Sequence, residues 1–178
     1  GRLTSRRWAR RFWVTCTLSF KGRRRTIMAP GQYTELFFLD EATALAAGHR
    51  PCGECRPDAF KLFKSIWLEQ NQERLGSGTS VAEIDKFLHA ERVGKDRQQK
   101  RWFASCESLP DGAFLRLPDH PAPWLVWKGQ LREWTPGGYR ATRAMSVEEV
   151  EVATPASVVA VLAHGYVPEV HISASRSE

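Results

Sequence analysis

The sequence predicts an α+β fold, and three observations carry that reading. Aromatic and β-branched residues crowd the first 40 positions, helical periodicity is confined to the middle, and strand-like pieces between Pro/Gly turns fill the chain beyond residue 108. At 178 residues and 42% apolar, the chain can bury one substantial core or two small ones.

Taken in order, residues 8–20 (WARRFWVTCTLSF) and 23–28 flank a Lys21-Gly22 turn, which predicts a β-hairpin. Residues 33–39 (YTELFFL) predict another strand. Asp40 caps a short Ala-rich helix, DEATALAAG, closed by Gly48. Pro57-Asp58 opens a longer helix whose Phe60, Phe63, Ile66 and Trp67 recur at helical spacing. Gly76-Ser77-Gly78 interrupts the chain. Ser80 and Glu83 then form a capping box for a helix running to about Arg92. Beyond residue 108, LPDGAFLRL, PWLVWKGQLREW and VEEVEVAT predict strands, with turns at Pro118-Asp119, Lys128-Gly129 and Pro136-Gly137-Gly138. Trp124, Trp127 and Trp134 are expected to pack that sheet. Residues 155–163 (PASVVAVLA) predict a short helix ended by His164-Gly165. The change of texture divides the chain into 1–105 and 106–178, as two units or as one compact domain with a seam.

Charge is distributed unevenly. Residues 1–34 hold nine Lys or Arg and no acid, so that, at a total of +6, the rest of the chain carries a net −3. A second basic stretch runs from Lys86 to Arg101. Concentrated positive charge suits a polyanion, because each neutralised phosphate releases counterions. The candidate DNA-binding residues are Arg6, Arg7, Arg10, Arg11, Arg23, Arg24, Arg25, Lys64 and Arg92. Trp8, Phe12 and Trp13 interleave with the arginines, as base-stacking contacts or as core residues. The competing reading is a solvated basic surface. No apolar run approaches the roughly 20 residues that span a bilayer, so no membrane partner is expected. The basic N-terminus lacks the apolar region of a signal peptide, and four unevenly spaced cysteines do not make a disulfide scaffold. A cytoplasmic protein with reduced thiols is expected. No phosphate-binding loop is present (Pro136-Gly137-Gly138 lacks the spacing), and no nucleotide cofactor is expected.

The segment GHRPCGECRPD places Cys52 and Cys55 three residues apart at the entry to a helix. Two thiolates at that spacing can face one ion, with the helix-start N–H groups stabilising their charge. A redox pair would follow a strand instead. The string Pro51-Cys52-x-x-Cys55 also matches half of the zinc-deaminase signature. That chemistry needs an upstream H-x-E or C-x-E, and Cys16-Thr17-Leu18 has no Glu.

Residues 37–58 (FFLDEATALAAGHRPCGECRPD) resemble the second half of the Ada-type zinc-binding domain of bacterial DNA alkylation repair. In that family an aromatic pair, an Ala-rich helix and a PC-x-x-C segment keep this order. The resemblance implies a Zn²⁺ site in a DNA-binding module, with Cys52 and Cys55 as the second pair of ligands. The family's first pair is spaced C-x-x-x-C, whereas Phe20 stands four residues after Cys16 here. Cys16 is therefore a ligand or the counterpart of the family's methyl acceptor. The fourth ligand is sought among Cys106, His89 and His49, with Cys106 favoured and a buried apolar role as its competitor. The full expectation is a zinc-stabilised hairpin/helix module, two central helices, and a small antiparallel C-terminal sheet with one helix.

For chemistry, Asp85 and His89 share a helix face at i and i+4, with Glu91 close by in IDKFLHAER. They are the acid/base candidates, and an ordinary amphipathic helix is the competing reading. Lys61 and Lys64 read as phosphate contacts. The expected function is a zinc-containing DNA-binding protein acting on damaged or modified DNA, with base excision of the DNA-glycosylase type as the hydrolytic reaction. The alternatives are a non-catalytic zinc module (regulator or lesion sensor) and a methyl acceptor working through Cys16.

Overall fold

The computed structural model describes residues 8–24, 26–27, 29, 35–75 and 80–175. It is a mixed α/β protein in which, among those residues, a six-stranded antiparallel sheet follows four helices in the sequence and precedes a fifth. The strand order is β3-β8-β4-β5-β6-β7, where β3 is Trp102–Ser105, β4 Phe114–Arg116, β5 Pro123–Trp127, β6 Gln130–Thr135, β7 Gly138–Ala144 and β8 Glu149–Val152. Lys128 and Gly129, both at positive φ, make the tight β5–β6 turn that the sequence marks. The Pro136-Gly137 stretch is likewise a hairpin turn, with Thr135 paired to Gly138. Strands β3 and β7 carry no turn-bounded alternation of their own and were not expected from the sequence.

The N-terminal region differs from the expected hairpin. Lys21 and Gly22 do turn at positive φ, with the Arg23 N–H bonded to the Phe20 carbonyl at 3.0 Å, but no described strand flanks that turn. Instead β1, Val14–Thr15, pairs in parallel with β2, Arg50–Pro51. Of the strand expected at 33–39, residues 33–34 lie outside the described residues and 35–39 are not strand.

Helix α1, Glu41–Ala46, is capped by Asp40, whose Oδ1 accepts the Thr43 N–H at 2.8 Å. Helix α2, Pro57–Gln70, begins with proline at its first position, where the missing N–H costs nothing. It buries Phe63, Ile66 and Trp67 and is followed by a single turn, α3, Gln72–Leu75. Helix α4, Val81–Arg92, starts at the expected cap, with Ser80 Oγ accepting the Glu83 N–H at 3.3 Å. Helix α5, Ala156–Ala163, packs beside α2. One core joins Phe63 and Trp67 of α2, Ile84 and Leu88 of α4, sheet residues Leu115, Val126 and Val152, and Val158 and Val161 of α5. That core runs across the change of texture near residue 105. Among the described residues, no helix is long and apolar enough to cross a membrane.

Candidate metal centre

Parallel pairing of β1 with β2 is what assembles the thiols. The Arg50 N–H donates to the Trp13 carbonyl at 3.1 Å, and the Cys52 N–H to the Thr15 carbonyl at 3.0 Å. This register sets Cys16, the residue after β1, beside Cys52, the residue after β2. The chain then turns through Gly53-Glu54, with the Arg56 N–H on the Cys52 carbonyl at 3.0 Å, and returns Cys55 to the same point. The sulfur atoms of Cys16, Cys52 and Cys55 all lie within 4.8 Å of one another. A tetrahedral ion with metal–sulfur bonds of about 2.3 Å needs sulfurs about 3.8 Å apart, so the three lie close enough to hold a metal ion.

The surroundings favour the thiolate at Cys52 and oppose it at Cys16. The Thr17 N–H donates to Cys55 Sγ at 3.4 Å. Burial raises the pKa of Cys52, but the backbone N–H groups of Cys55 and Glu54 outweigh it, and the net shift is downward. Cys16, the exposed member of the three, is pushed up to about 12, by burial first and then by the charge of Cys52. Three sulfurs held this close cannot all be anionic without a cation between them; a bound ion would take the place of the shared protons. Arg23 lies near the thiolates and pairs with Glu54 at 2.6 Å on the open face.

The turn is anchored to the rest of the protein through Arg56. Its guanidinium pairs with Glu41 at 3.0 Å, and Glu41 also accepts from the Tyr166 hydroxyl at 2.7 Å and the Glu169 N–H at 3.0 Å. Asp40 accepts from the Tyr139 hydroxyl at 2.7 Å and the His171 N–H at 3.0 Å. The acids that open α1 therefore fasten the cysteine turn to the C-terminal sheet, a role that the sequence shows only as a helix cap.

The structure does not bring the proposed fourth ligands to this cluster. Cys106 is fully buried in the apolar core. His49 is buried between Trp13 and Phe38, with ring centroids at 5.2 and 4.7 Å. His89 sits against Trp8 and Trp13 at 5.6 and 6.4 Å. Among the described residues the cluster is three cysteines.

The acid/base candidates are separated by their partners. Asp85 is buried, and both of its oxygens are engaged by Arg50, at 2.7 Å to Nε and 2.8 Å to Nη2. Glu91 accepts from the Ser157 N–H at 3.2 Å and from its hydroxyl at 2.5 Å, so it caps α5, which Pro155 cannot do with a side chain. Of the DNA-binding candidates, Arg6, Arg7 and Arg25 lie outside the described residues. Arg10, Arg11, Arg23 and Arg24 are exposed, and Lys64 is half-buried on α2. Arg92 is inside the protein, 4% exposed, donating to the carbonyls of Gly48 and Arg11 with its guanidinium 3.8 Å from the Trp13 ring centroid.

Comparison with known proteins finds no match: no family profile, no curated sequence and no solved structure.

Proposed function

We propose that this chain is a zinc-containing, DNA-binding protein directed at damaged or modified DNA, in which the metal closes the β1–β2 module and the basic arm contacts the backbone. The observation that carries the reading is the convergence of Cys16, Cys52 and Cys55 directly on the arm that carries the exposed arginines. Zn²⁺ is the ion of choice because it is redox-inert and borderline-soft and binds soft thiolate donors well. The resemblance of residues 37–58 to the Ada-type domain supports the same ion and the same class of partner. Recognition fits the geometry better than base excision, since Asp85 and Glu91 already hold an arginine and a helix end.

The test is zinc content by elemental analysis on wild type and on Cys16→Ser, Cys52→Ser and Cys106→Ser, followed by DNA binding across salt concentrations. Stoichiometric zinc that falls with Cys16 and Cys52 but not with Cys106, together with salt-dependent DNA binding, is the expected outcome. Zinc-free, equally stable wild type would remove the reading. Multiple turnovers on DNA with a modified base would restore base excision, and a single mass increment on Cys16 would identify a methyl acceptor.

A further inference from the structure

Beside the metal module lies a cleft of about 360 Å³ that neither the cysteines nor the helix candidates account for. Its walls come from distant parts of the chain. Trp8 and Trp13 enter from the arm, Arg92 from the end of α4, Gln99 from the loop after it, and Arg116 and Trp134 from the sheet. Arg97 lines it as well, and no Asp or Glu does.

Three features of this wall are specific. Trp8 and Trp134 offer flat aromatic surface, which stacks on any nucleobase, while the Trp13 ring already carries the Arg92 guanidinium. Among the described residues, no carboxylate lines the cleft beside its arginines, although Arg116 reaches Glu151, outside the lining, at 3.7 Å. Arg92 is the clearest case. It is 96% buried, its bonds to Gly48 and Arg11 go to neutral carbonyls, and the Asp85 carboxylate near it is taken by Arg50. A buried cation whose bonds are met by carbonyls still lacks a counter-charge, which is costly unless an anion arrives. Finally, three buried donors in the wall have no hydrogen-bond partner: Arg92 Nε, Trp134 Nε1 and Arg116 Nε, the last 3.7 Å from Glu151. Such donors are uncommon in folded proteins unless a ligand or water meets them.

We infer that this cleft binds a nucleotide, its base stacked on the tryptophan wall and its phosphate facing Arg92 and Arg116. The volume lies at the small end of ligand sites, enough for one nucleotide and not for a run of them. Its occupant is a free mononucleotide or a single nucleotide turned out of a strand; both present the same base and phosphate. The second source rests on the nucleic-acid reading above; the cleft takes Trp8 and Trp13 from the arm, but no cysteine of the cluster lines it.

Two arms of one experiment separate the sources. Zinc-loaded protein is titrated calorimetrically with 5′-mononucleotides, with the corresponding nucleosides and with inorganic phosphate. In parallel, 2-aminopurine placed opposite an abasic site in a duplex reports stacking by its fluorescence. Trp8→Ala and Arg116→Gln, both at half-buried positions, are compared with wild type after their thermal midpoints are checked. Saturable binding of a mononucleotide, tighter than of nucleoside or phosphate and weakened about tenfold by either variant, supports the cleft with a free ligand. A 2-aminopurine signal lost in both variants, without mononucleotide binding, supports it with a strand-borne one. No response in either arm, equal binding of phosphate alone, or folded variants that behave as wild type would overturn it. Loss of DNA affinity with intact mononucleotide binding would count against the proposed function and leave the cleft standing.

Discussion

Gly48 shows how tightly single positions are specified. It ends α1 at φ +78°, and a Cβ placed there would lie 2.5 Å from Arg92 Cδ. Gly48→Ala combines left-handed strain of roughly 1–2 kcal/mol with that clash, so a loss of at least about 2 kcal/mol is expected in denaturant unfolding. The neighbouring His49 is buried neutral. Burial first, and then the Arg92 charge, hold its pKa down to about 4. In the unfolded chain it titrates near 6.5, so the folded state is favoured fully above pH 6.5. That advantage, on the order of 3 kcal/mol, is lost as pH falls from 6.5 towards 4. His49→Phe should flatten the fall in unfolding midpoint over this window relative to wild type. An unchanged slope would show that His49 does not carry it. Arg50 and Asp85 form a buried pair with two bonds, and removing one partner strands the other. Asp85→Asn or Arg50→Met should cost about 3–5 kcal/mol, and the double variant Arg50→Met/Asp85→Leu should recover much of it. If Asp85→Asn were as stable as wild type, the structural role given to this carboxylate would fail.

Among the elements, the expectations that rested on local chemistry correspond to what is seen. The capping box at Ser80, the proline start of α2, the Lys128-Gly129 turn and the apolar helix α5 each depend on residues within one turn of each other. The hairpin expected over 8–28 failed at the one point that is not local, the choice of partner. Lys21-Gly22 still turns, but Val14 and Thr15 find their backbone partners at Arg50 and Pro51, 36 residues away in register. Helix α5 is also completed from a distance. Proline at its N-cap offers no side-chain acceptor, and Glu91 supplies one from α4. Glu91→Ala should therefore destabilise the fold by about 1 kcal/mol, with a smaller loss in Glu91→Gln, read from urea midpoints. A fall in substrate turnover with no change in stability would instead return Glu91 to a catalytic role.

For the molecule as a whole, one core joins α2, α4 and α5 to the sheet, and the Arg56–Glu41 pair with the Asp40 and Glu41 carboxylates fastens the cysteine turn and α1 to the C-terminal segment. If the proposed ion is bound, removing it should therefore unfold more than a loop. Chelation is expected to lower the thermal midpoint of the whole cooperative transition, and acidification should do the same by protonating thiolates and releasing the ion. Positive charge acts at this scale too. If the arm of exposed arginines binds DNA as proposed, the binding should weaken linearly in log K against log salt, with a slope near −0.9 for each phosphate neutralised, and replacing Arg10 and Arg24 by Gln should make that slope shallower by about two.

By itself the sequence determined a mixed helix-and-strand protein, most helix starts, the turn positions and the placing of Cys52 beside Cys55, because caps, turns and the C-x-x-C spacing act over a few residues. The charge of the arm was equally legible, since charge needs only counting. Tertiary structure alone decided that Cys16 joins Cys52 and Cys55 while Cys106 goes to the core, and that Asp85 and Glu91 serve an arginine and a helix end. It also built the aromatic, arginine-lined cleft from segments more than 100 residues apart. Those outcomes depend on which backbone pairs with which and on what each buried charge finds beside it. Long-range pairing and desolvation are settled only when the whole core closes.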